Sequence, residues 1–171
     1  MTPNVRSTPE AKKAQLIADL TEARRAVLDA ARALQSDARD TPFLGAWSAH
    51  DVVAHLVGWD YANLEAIQGI LAGRLPAFYS HYDPDWRTFN AELVAQHKLK
   101  TLEETATAAQ ASHAALSAAL TAVAAQDVSR DHGVRSARGR RVTIAMLLNV
   151  EGRDERKHAA QIREFAARGE E

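Results

Sequence analysis

Apolar residues recur at helical spacing along most of the chain, so the sequence predicts helices separated by polar connections. The first helix is expected to begin at Thr8 and Pro9, because a threonine oxygen can cap a helix and proline suits its first turn. Its apolar face comprises Leu16, Leu20, Ala23, Val27, Ala31 and Leu34. The second helix is expected to begin at Ser48, with Asp51 at capping-box spacing, and to continue to about Leu71.

The second half of the chain contains two further long helical patterns. Thr101 and Glu104 stand at capping-box spacing and open an alanine-rich helix. One face of this helix carries Ala109, His113, Leu116, Leu120 and Val123. The polar stretch over residues 126–141 is predicted to be a loop, and the last long helix follows it over residues 143–164.

A mixed segment connects the second and third long helices. Residues 73–86 combine glycine, proline and aromatic side chains, a composition typical of a loop. Asp83 and Pro84 are expected to open a shorter helix over residues 85–97. Together the patterns predict an all-α fold, a four-helix bundle that forms a single domain over residues 9–166. The extra short helix lies in the connection between long helices two and three.

The apolar stripe of the last helix is interrupted by ionisable residues. At about 100° per residue, the stripe includes Ile144, Leu147, Glu151, Asp154, His158, Ile162 and Phe165. Glu151, Asp154 and His158 thus occupy positions where a bundle helix normally carries leucine or valine. Because an unpaired buried carboxylate is costly, such a group is normally paired, protonated or bound to a metal. This segment is therefore the first candidate for chemistry.

The three polar residues fit either a metal site or a structural polar layer. Asp154 and His158 lie one turn apart and can chelate one ion, and His55 on the second helix can supply a third ligand. Three protein ligands would leave open positions, as in a catalytic site. In the alternative, Glu151 and Asp154 form a salt-bridged layer with arginines of other helices.

The remaining histidines and the tryptophans have simpler interpretations. His113 faces the core and is expected to be hydrogen-bonded there, with a position in a pocket wall as the alternative. Trp47 and Trp59 are expected to anchor the core, and for them too the alternative is a pocket wall. Surface positions are predicted for His50, His81 and His97.

Composition limits the range of partners. The 171 residues carry a formal net charge of -1, which provides no overall attraction to nucleic acid or to an anionic membrane. The sequence has no cysteine, no apolar run of membrane-spanning length and no signal-peptide pattern at its start. We therefore expect a cytoplasmic protein without a nucleic-acid or membrane partner.

Four arginines cluster within the predicted polar loop. They are Arg135, Arg138, Arg140 and Arg141. The simpler interpretation is a solvated loop, since charged runs usually face water. The alternative is a docking site for an anionic substrate or a thiol cofactor.

Two segments carry a family resemblance. GAWSAHDVVAHLVGWD resembles the W-S-x-x-[DE]-x-x-x-H-[LI] helix of the DinB/YfiT-like superfamily, and DERKHAAQIREF resembles its closing H-x-x-x-H-x-x-Q-I segment. The resemblance implies a four-helix bundle that holds a divalent metal ion, nickel or zinc, through three side chains. His55 and His158 match two of these ligands, and Asp154 stands where the superfamily pattern has a second histidine of the last helix.

The resemblance also implies an activity. It points to a metal-dependent enzyme that acts on a small electrophilic molecule by thiol transfer, isomerisation or hydrolysis, in detoxification or stress response. A low-molecular-weight thiol is a candidate co-substrate, and a homodimer is the expected assembly. Glu151, one turn before Asp154, is the candidate general base or a group that orients the metal ligands.

The middle of the chain suggests a second function. DPDWRTFNAELVAQHKLKTLEETATAAQASHAAL resembles the W-x-x-x-N segment and following helix of the DfsB and colibactin self-resistance group within the same superfamily. This resemblance implies a metal-free binding or self-protection protein that sequesters or hydrolyses a reactive metabolite. A purely structural or partner-binding helical bundle is the third possibility.

Overall fold

The computed structural model describes residues 7–82 and 85–169, with only the backbone at residues 81 and 82. Its helices are α1 (Pro9–Ala33), α2 (Ala49–Leu71), α3 (Tyr79–Tyr82), α4 (Trp86–His97), α5 (Leu102–Ala122), α6 (Ala125–Ser129) and α7 (Ile144–Arg168). A 3-10 turn, Ala38–Asp40, lies between α1 and α2. Within the described ranges the chain forms isolated bridges and no strand. The all-α prediction is confirmed.

The long helices begin where the capping residues predict. The Thr8 side chain accepts a hydrogen bond from the Ala11 amide at the start of α1. At the start of α2, Ser48 and Asp51 form a reciprocal capping box, in which the Asp51 carboxylate accepts from the Ser48 amide at 2.9 Å. Thr101 caps α5 with a second capping box. These side chains satisfy amides that have no partner inside the helix.

The bundle has an apolar cluster toward each end. One cluster includes Val27, Leu56, Ala106 and Ile162, and the other includes Leu20, Ile70, Leu116 and Leu148. Buried polar side chains occupy the intermediate positions on all four long helices. None of the helices in the described part of the chain combines the length and the apolar character that a membrane crossing requires.

Two short helices lie in segments that were predicted to be loops. Helix α3 lies within the predicted loop 73–86, where Phe78 is buried and Tyr79 packs against the core. Helix α6 overlaps the predicted loop 126–141, because Val128 inserts into the core and anchors one helical turn. Asp83 and Pro84 lie outside the described residues. Helix α4, the predicted short helix, has Asp85 as its N-cap.

The surface position predicted for His50 is wrong. His50 is 1% exposed, and both of its ring nitrogens are paired. Nδ1 lies 2.9 Å from the Asp40 carboxylate, and Nε2 lies 2.8 Å from the Thr105 hydroxyl. The ring joins α2 to the 3-10 turn and to α5. Its partners lie 10 and 55 residues away in the sequence, so the helical pattern around His50 does not reveal them.

Candidate metal centre

Three of the predicted site residues meet at one point. His55 on α2 and Asp154 and His158 on α7 each offer a ligand atom, and these atoms all lie within 4.8 Å of one another. The His158 Nε2 atom is 3.5 Å from an Asp154 carboxylate oxygen. The ring centroids of His55 and His158 are 5.6 Å apart, with an interplanar angle of 83°. We call these three residues the HDH cluster.

The HDH cluster lies at the wall of the bundle. His55 is 3% exposed and His158 is 7% exposed, whereas half of the Asp154 side chain is accessible. Asp154 therefore stands at the edge of the apolar stripe and not inside it. Two buried imidazoles with one solvent-facing carboxylate leave the cluster open on a single side.

A hydrogen bond fixes the orientation of the His158 ring. Its Nδ1 lies 3.0 Å from the side-chain oxygen of Gln161, one turn further along α7. Because an amide oxygen only accepts, Nδ1 of His158 donates, and the neutral ring then carries its lone pair on Nε2. Nε2 is the nitrogen that faces Asp154. Such hydrogen bonds commonly hold metal-binding histidines in the required tautomer.

His55 has a buried nitrogen without a hydrogen bond. Its Nδ1 has no partner among the described residues, and the ring is enclosed by Trp47, at a centroid distance of 4.9 Å, and by Trp59, at 6.3 Å. Burial, aided by the neighbouring His158, lowers the pKa of His55 to about 3. The ring is therefore neutral at physiological pH. An unpaired buried polar atom costs on the order of 1–3 kcal/mol, a cost that an ion or ligand bound at this nitrogen would offset.

The Asp154 carboxylate is held in its ionised form. The hydrogen bond with His158 lowers its pKa below the ordinary value, outweighing partial burial. To coordinate a cation beside this carboxylate, His158 has to present the lone pair of Nε2, so a bound ion would replace the proton through which Nε2 contacts Asp154. The donor set of two nitrogens and one oxygen therefore fits a divalent transition metal such as zinc or nickel.

A cleft of about 410 Å³ opens beside the HDH cluster. It lies between α4, α7 and the segment that precedes α2. Apart from the cluster, its walls include Trp47, Trp86, Arg87, Asn90, Lys157 and Gln161. Trp47 also packs against the core, so both interpretations of this residue are correct. The arginines of the predicted loop do not line this cleft; Arg135 instead pairs with Asp131 at 2.7 Å.

Sequence analysis missed the ion network that crosses the middle of the bundle. Arg24 on α1 forms paired hydrogen bonds with Asp60 on α2 and with Glu155 on α7, at 2.7–3.1 Å. It also donates to the Ala109 carbonyl of α5, and Ser112 donates to Asp60. All three charged groups are at most 2% exposed. A signal existed, because Arg24 interrupts the apolar stripe of α1 between Leu20 and Val27.

The predicted polar layer therefore exists, but with a different residue of α7. The alternative interpretation assigned such a layer to Glu151 and Asp154, whereas Glu155 makes the ion pair with Arg24. Glu151 is buried and accepts a weaker hydrogen bond from Asn63 at 3.3 Å. Burial, together with the nearby charges of Glu155 and Asp60, raises the pKa of Glu151 well above its ordinary value. Glu151 does not line the cleft.

His113 is buried as predicted, but only one of its ring nitrogens is paired. Nε2 lies 3.4 Å from the Thr21 hydroxyl, and Nδ1 has no partner among the residues that the structure describes. The ring lines a small cavity of about 190 Å³ between α1 and α5, apart from the HDH cluster. The core position is therefore correct, but the ring is not fully hydrogen-bonded as expected, and the cavity that it lines is not the one beside the HDH cluster.

The fold and the cluster define a helical bundle with a candidate metal centre between two of its long helices. The profile of the DinB superfamily matches residues 5–162 of this chain. The chain therefore belongs to the DinB superfamily. No curated protein sequence matches it at a significant level.

Proposed function

We propose that the protein is a divalent-metal-dependent enzyme that acts on a small electrophilic molecule. The observation that carries this proposal is the HDH cluster, in which three potential ligand atoms lie within 4.8 Å of one another beside a cleft. The unpaired nitrogen of the buried His55 ring supports it, since a structural histidine normally satisfies its polar atoms. Membership of the DinB superfamily agrees with it.

The ligand set is suited to catalysis. Structural zinc sites fill four positions with protein groups, whereas catalytic sites use three and leave room for water or substrate. His55, Asp154 and His158 would provide three, and nickel or zinc is the proposed ion. A bound ion of this kind supplies Lewis acidity and lowers the pKa of a coordinated water or thiol.

The residues around the HDH cluster have separable roles. Gln161 holds His158 in the tautomer that presents Nε2, and the rings of Trp47 and Trp59 shield His55 from water. Asp154 faces the open side, through which a small molecule and a low-molecular-weight thiol would enter. Thiol transfer, isomerisation and hydrolysis all need an activated nucleophile and a polarised electrophile at this point.

Glu151 remains the proposed proton-transfer group, although it would act from the bundle interior, where it contacts Asn63. Its carboxyl group has a raised pKa, so it keeps its proton to a higher pH than an exposed glutamate does. Because Glu151 does not line the cleft, a proton would have to pass through an intervening group. Its role as a general base therefore stays a prediction.

A second candidate function needs no metal. The contact of 3.5 Å between His158 and Asp154 is itself a possible ion pair, and much of the cleft wall is apolar. In this alternative, the cleft sequesters or hydrolyses a reactive metabolite, as the likeness to the DfsB and colibactin self-resistance group suggests. The proposed homodimer applies to either function and stays a prediction.

The two functions differ in their response to chelation. The full chain would be assayed with p-nitrophenyl acetate, and with monochlorobimane plus cysteine, before and after chelation and after addition of zinc or nickel. Turnover that disappears on chelation, returns with metal and is absent from His158→Ala supports the metalloenzyme. Turnover that survives chelation contradicts it and favours the metal-free alternative.

A further inference from the structure

Two cations of the cleft form no close ion pair within the described part of the chain, and each interacts with one carboxylate at longer range, Arg87 with Asp85 and Lys157 with Asp154. Arg87 on α4 and Lys157 on α7 both line the cleft and are exposed, and neither forms an ion pair with any described carboxylate. By contrast, Lys98 forms a close ion pair, 2.9 Å from Asp51. The Arg87 guanidinium lies 4.7 Å above the centre of the Trp86 ring, which holds it at the cleft.

The uncharged polar groups of the cleft also present donors. The Asn90 side-chain oxygen accepts from the indole N–H of Trp59 at 3.1 Å, and the amide nitrogen of Asn90 has no partner among the described residues. The Gln161 oxygen accepts from His158, and within the same part of the chain its amide nitrogen also has no partner. An indole donates and cannot accept, which fixes the orientation of Asn90. Four side chains of the cleft therefore offer spare hydrogen-bond donors, and two of them are charged.

The remaining surface of the cleft is apolar and aromatic. Leu44, Trp47 and Trp86 supply flat or branched apolar walls, and the cleft volume of about 410 Å³ accommodates a molecule of one or two rings. Asp154 is the one carboxylate among the described residues that line the cleft, and it lies 3.5 Å from His158 in the HDH cluster. A ligand that satisfies this lining needs an apolar body and strong acceptors.

We propose that the cleft binds a small carboxylate with an apolar, ring-sized body. Its carboxylate lies against Arg87 and Lys157, and its body lies on Trp47 and Trp86. This assignment names a substrate class for the proposed function, and it rests on that function for the reaction at the HDH cluster. The two cations select the charge of the substrate, and the HDH cluster acts on a different part of the molecule.

A matched pair of probes tests the assignment. 2-Naphthoate and 2-naphthalenemethanol share one ring system and differ chiefly in charge. Their binding to the full chain would be measured by calorimetry, with the protein as purified and after chelation. Each measurement would be made at low salt and with 0.5 M NaCl added, which shortens the electrostatic screening length to on the order of a few Å. We expect the parent to bind the acid roughly tenfold more tightly than the alcohol at low salt, and less selectively with added salt.

The variants identify the residues responsible. The double variant Arg87→Gln with Lys157→Gln should lose the preference for the acid and bind the alcohol as the parent does. The control variant Arg138→Gln with Arg141→Gln removes the same charge from the exposed loop and should keep the preference. Thermal unfolding would verify that each variant is folded.

Three outcomes overturn the assignment: no binding of the acid to the parent, equal binding of acid and alcohol, or a preference that survives in the Arg87→Gln, Lys157→Gln variant. The measurement on chelated protein separates this proposal from the metal proposal. Loss of acid selectivity in the double variant without metal supports the carboxylate assignment even if the chain binds no ion. Metal binding by a chain that shows no acid preference supports only the HDH cluster.

Discussion

The rings of His55 and His158 face each other almost at right angles, with their centroids 5.6 Å apart, across the contact between α2 and α7. Both rings are buried where a helical bundle normally places aliphatic side chains. Nδ1 of His158 is hydrogen-bonded to Gln161, whereas Nδ1 of His55 has no partner among the described residues. An ion or a ligand bound at this pair would offset the cost of the unpaired nitrogen.

Gln161 should control metal affinity through His158. Replacing it with leucine removes the acceptor for Nδ1 and frees the ring to rotate or change tautomer, which should weaken zinc binding by about 10–100-fold. Gln161→Glu keeps an acceptor oxygen and should retain most of the affinity. Competition with a chromophoric chelator measures both. A Gln161→Leu protein that binds zinc as tightly as the parent would show that the hydrogen bond has no role in binding.

Asp154 should behave as a ligand that histidine can replace. Asp154→Ala removes one of three donors and should lower zinc affinity by at least about tenfold, whereas Asp154→His restores a nitrogen donor and should bind zinc comparably to the parent. Asp154 is half exposed, so neither change should disturb the core. Calorimetric titration of the chelated protein distinguishes them. Equal affinity in the alanine variant would remove Asp154 from the ligand set.

The buried Arg24 should matter far more to stability than Arg32, a partly exposed arginine of the same helix. Arg24→Met leaves the carboxylates of Asp60 and Glu155 buried without their partner and should cost about 3–5 kcal/mol of unfolding free energy. Arg32 pairs with the exposed Glu103, so Arg32→Met should cost less than about 1 kcal/mol. Urea denaturation measures both values, and similar costs would contradict the buried network.

Glu151 should make the stability of the parent depend on pH. Its pKa is raised in the folded state by burial, by Glu155 and by Asp60, so the folded chain binds this proton more tightly than the unfolded chain does. The unfolding free energy from this group is therefore highest below its ordinary pKa of 4.5 and falls as pH rises toward the folded-state pKa.

Glu151→Gln tests this dependence while keeping the acceptor for Asn63. The glutamine variant should gain stability relative to the parent as pH rises from 5 to 8. Only the parent has a carboxyl group at this position, and with rising pH that group must either bury a charge or hold a proton that the solution favours releasing. Urea denaturation across this pH range measures the difference. A constant difference would mean that Glu151 has the same pKa in the folded and unfolded chain.

Local sequence signals accounted for the helix starts and for two of the buried site residues. Ser48 and Thr101 cap their helices through reciprocal hydrogen bonds with the residue three positions further on, so both caps could be predicted. His55 and His158 lie on apolar stripes with helical periodicity, and the structure buries both. These features depend on neighbours within one or two turns of the same helix.

The burial predicted for α7 was wrong at Asp154 and Glu155, because the predicted apolar stripe was centred to one side of the face that the structure buries. At about 100° per residue, Glu155 lies closer than Asp154 to the direction shared by Ile144 and Ile162. Glu155 is accordingly 1% exposed, and Asp154 lies at the edge. Its partner Arg24 is on another helix, as are the partners of His50, so helical periodicity alone could not pair them.

Metal content is the most direct test of the central claim. The full chain would be purified without an affinity tag, exposed to nickel or zinc, freed of excess ion and measured by elemental mass spectrometry, together with His55→Ala, His158→Ala and the control His97→Ala. We expect about one ion per chain in the parent and in His97→Ala, and none in the other two variants. A parent that retains no ion, or His55→Ala and His158→Ala proteins that retain as much as the parent, would contradict it.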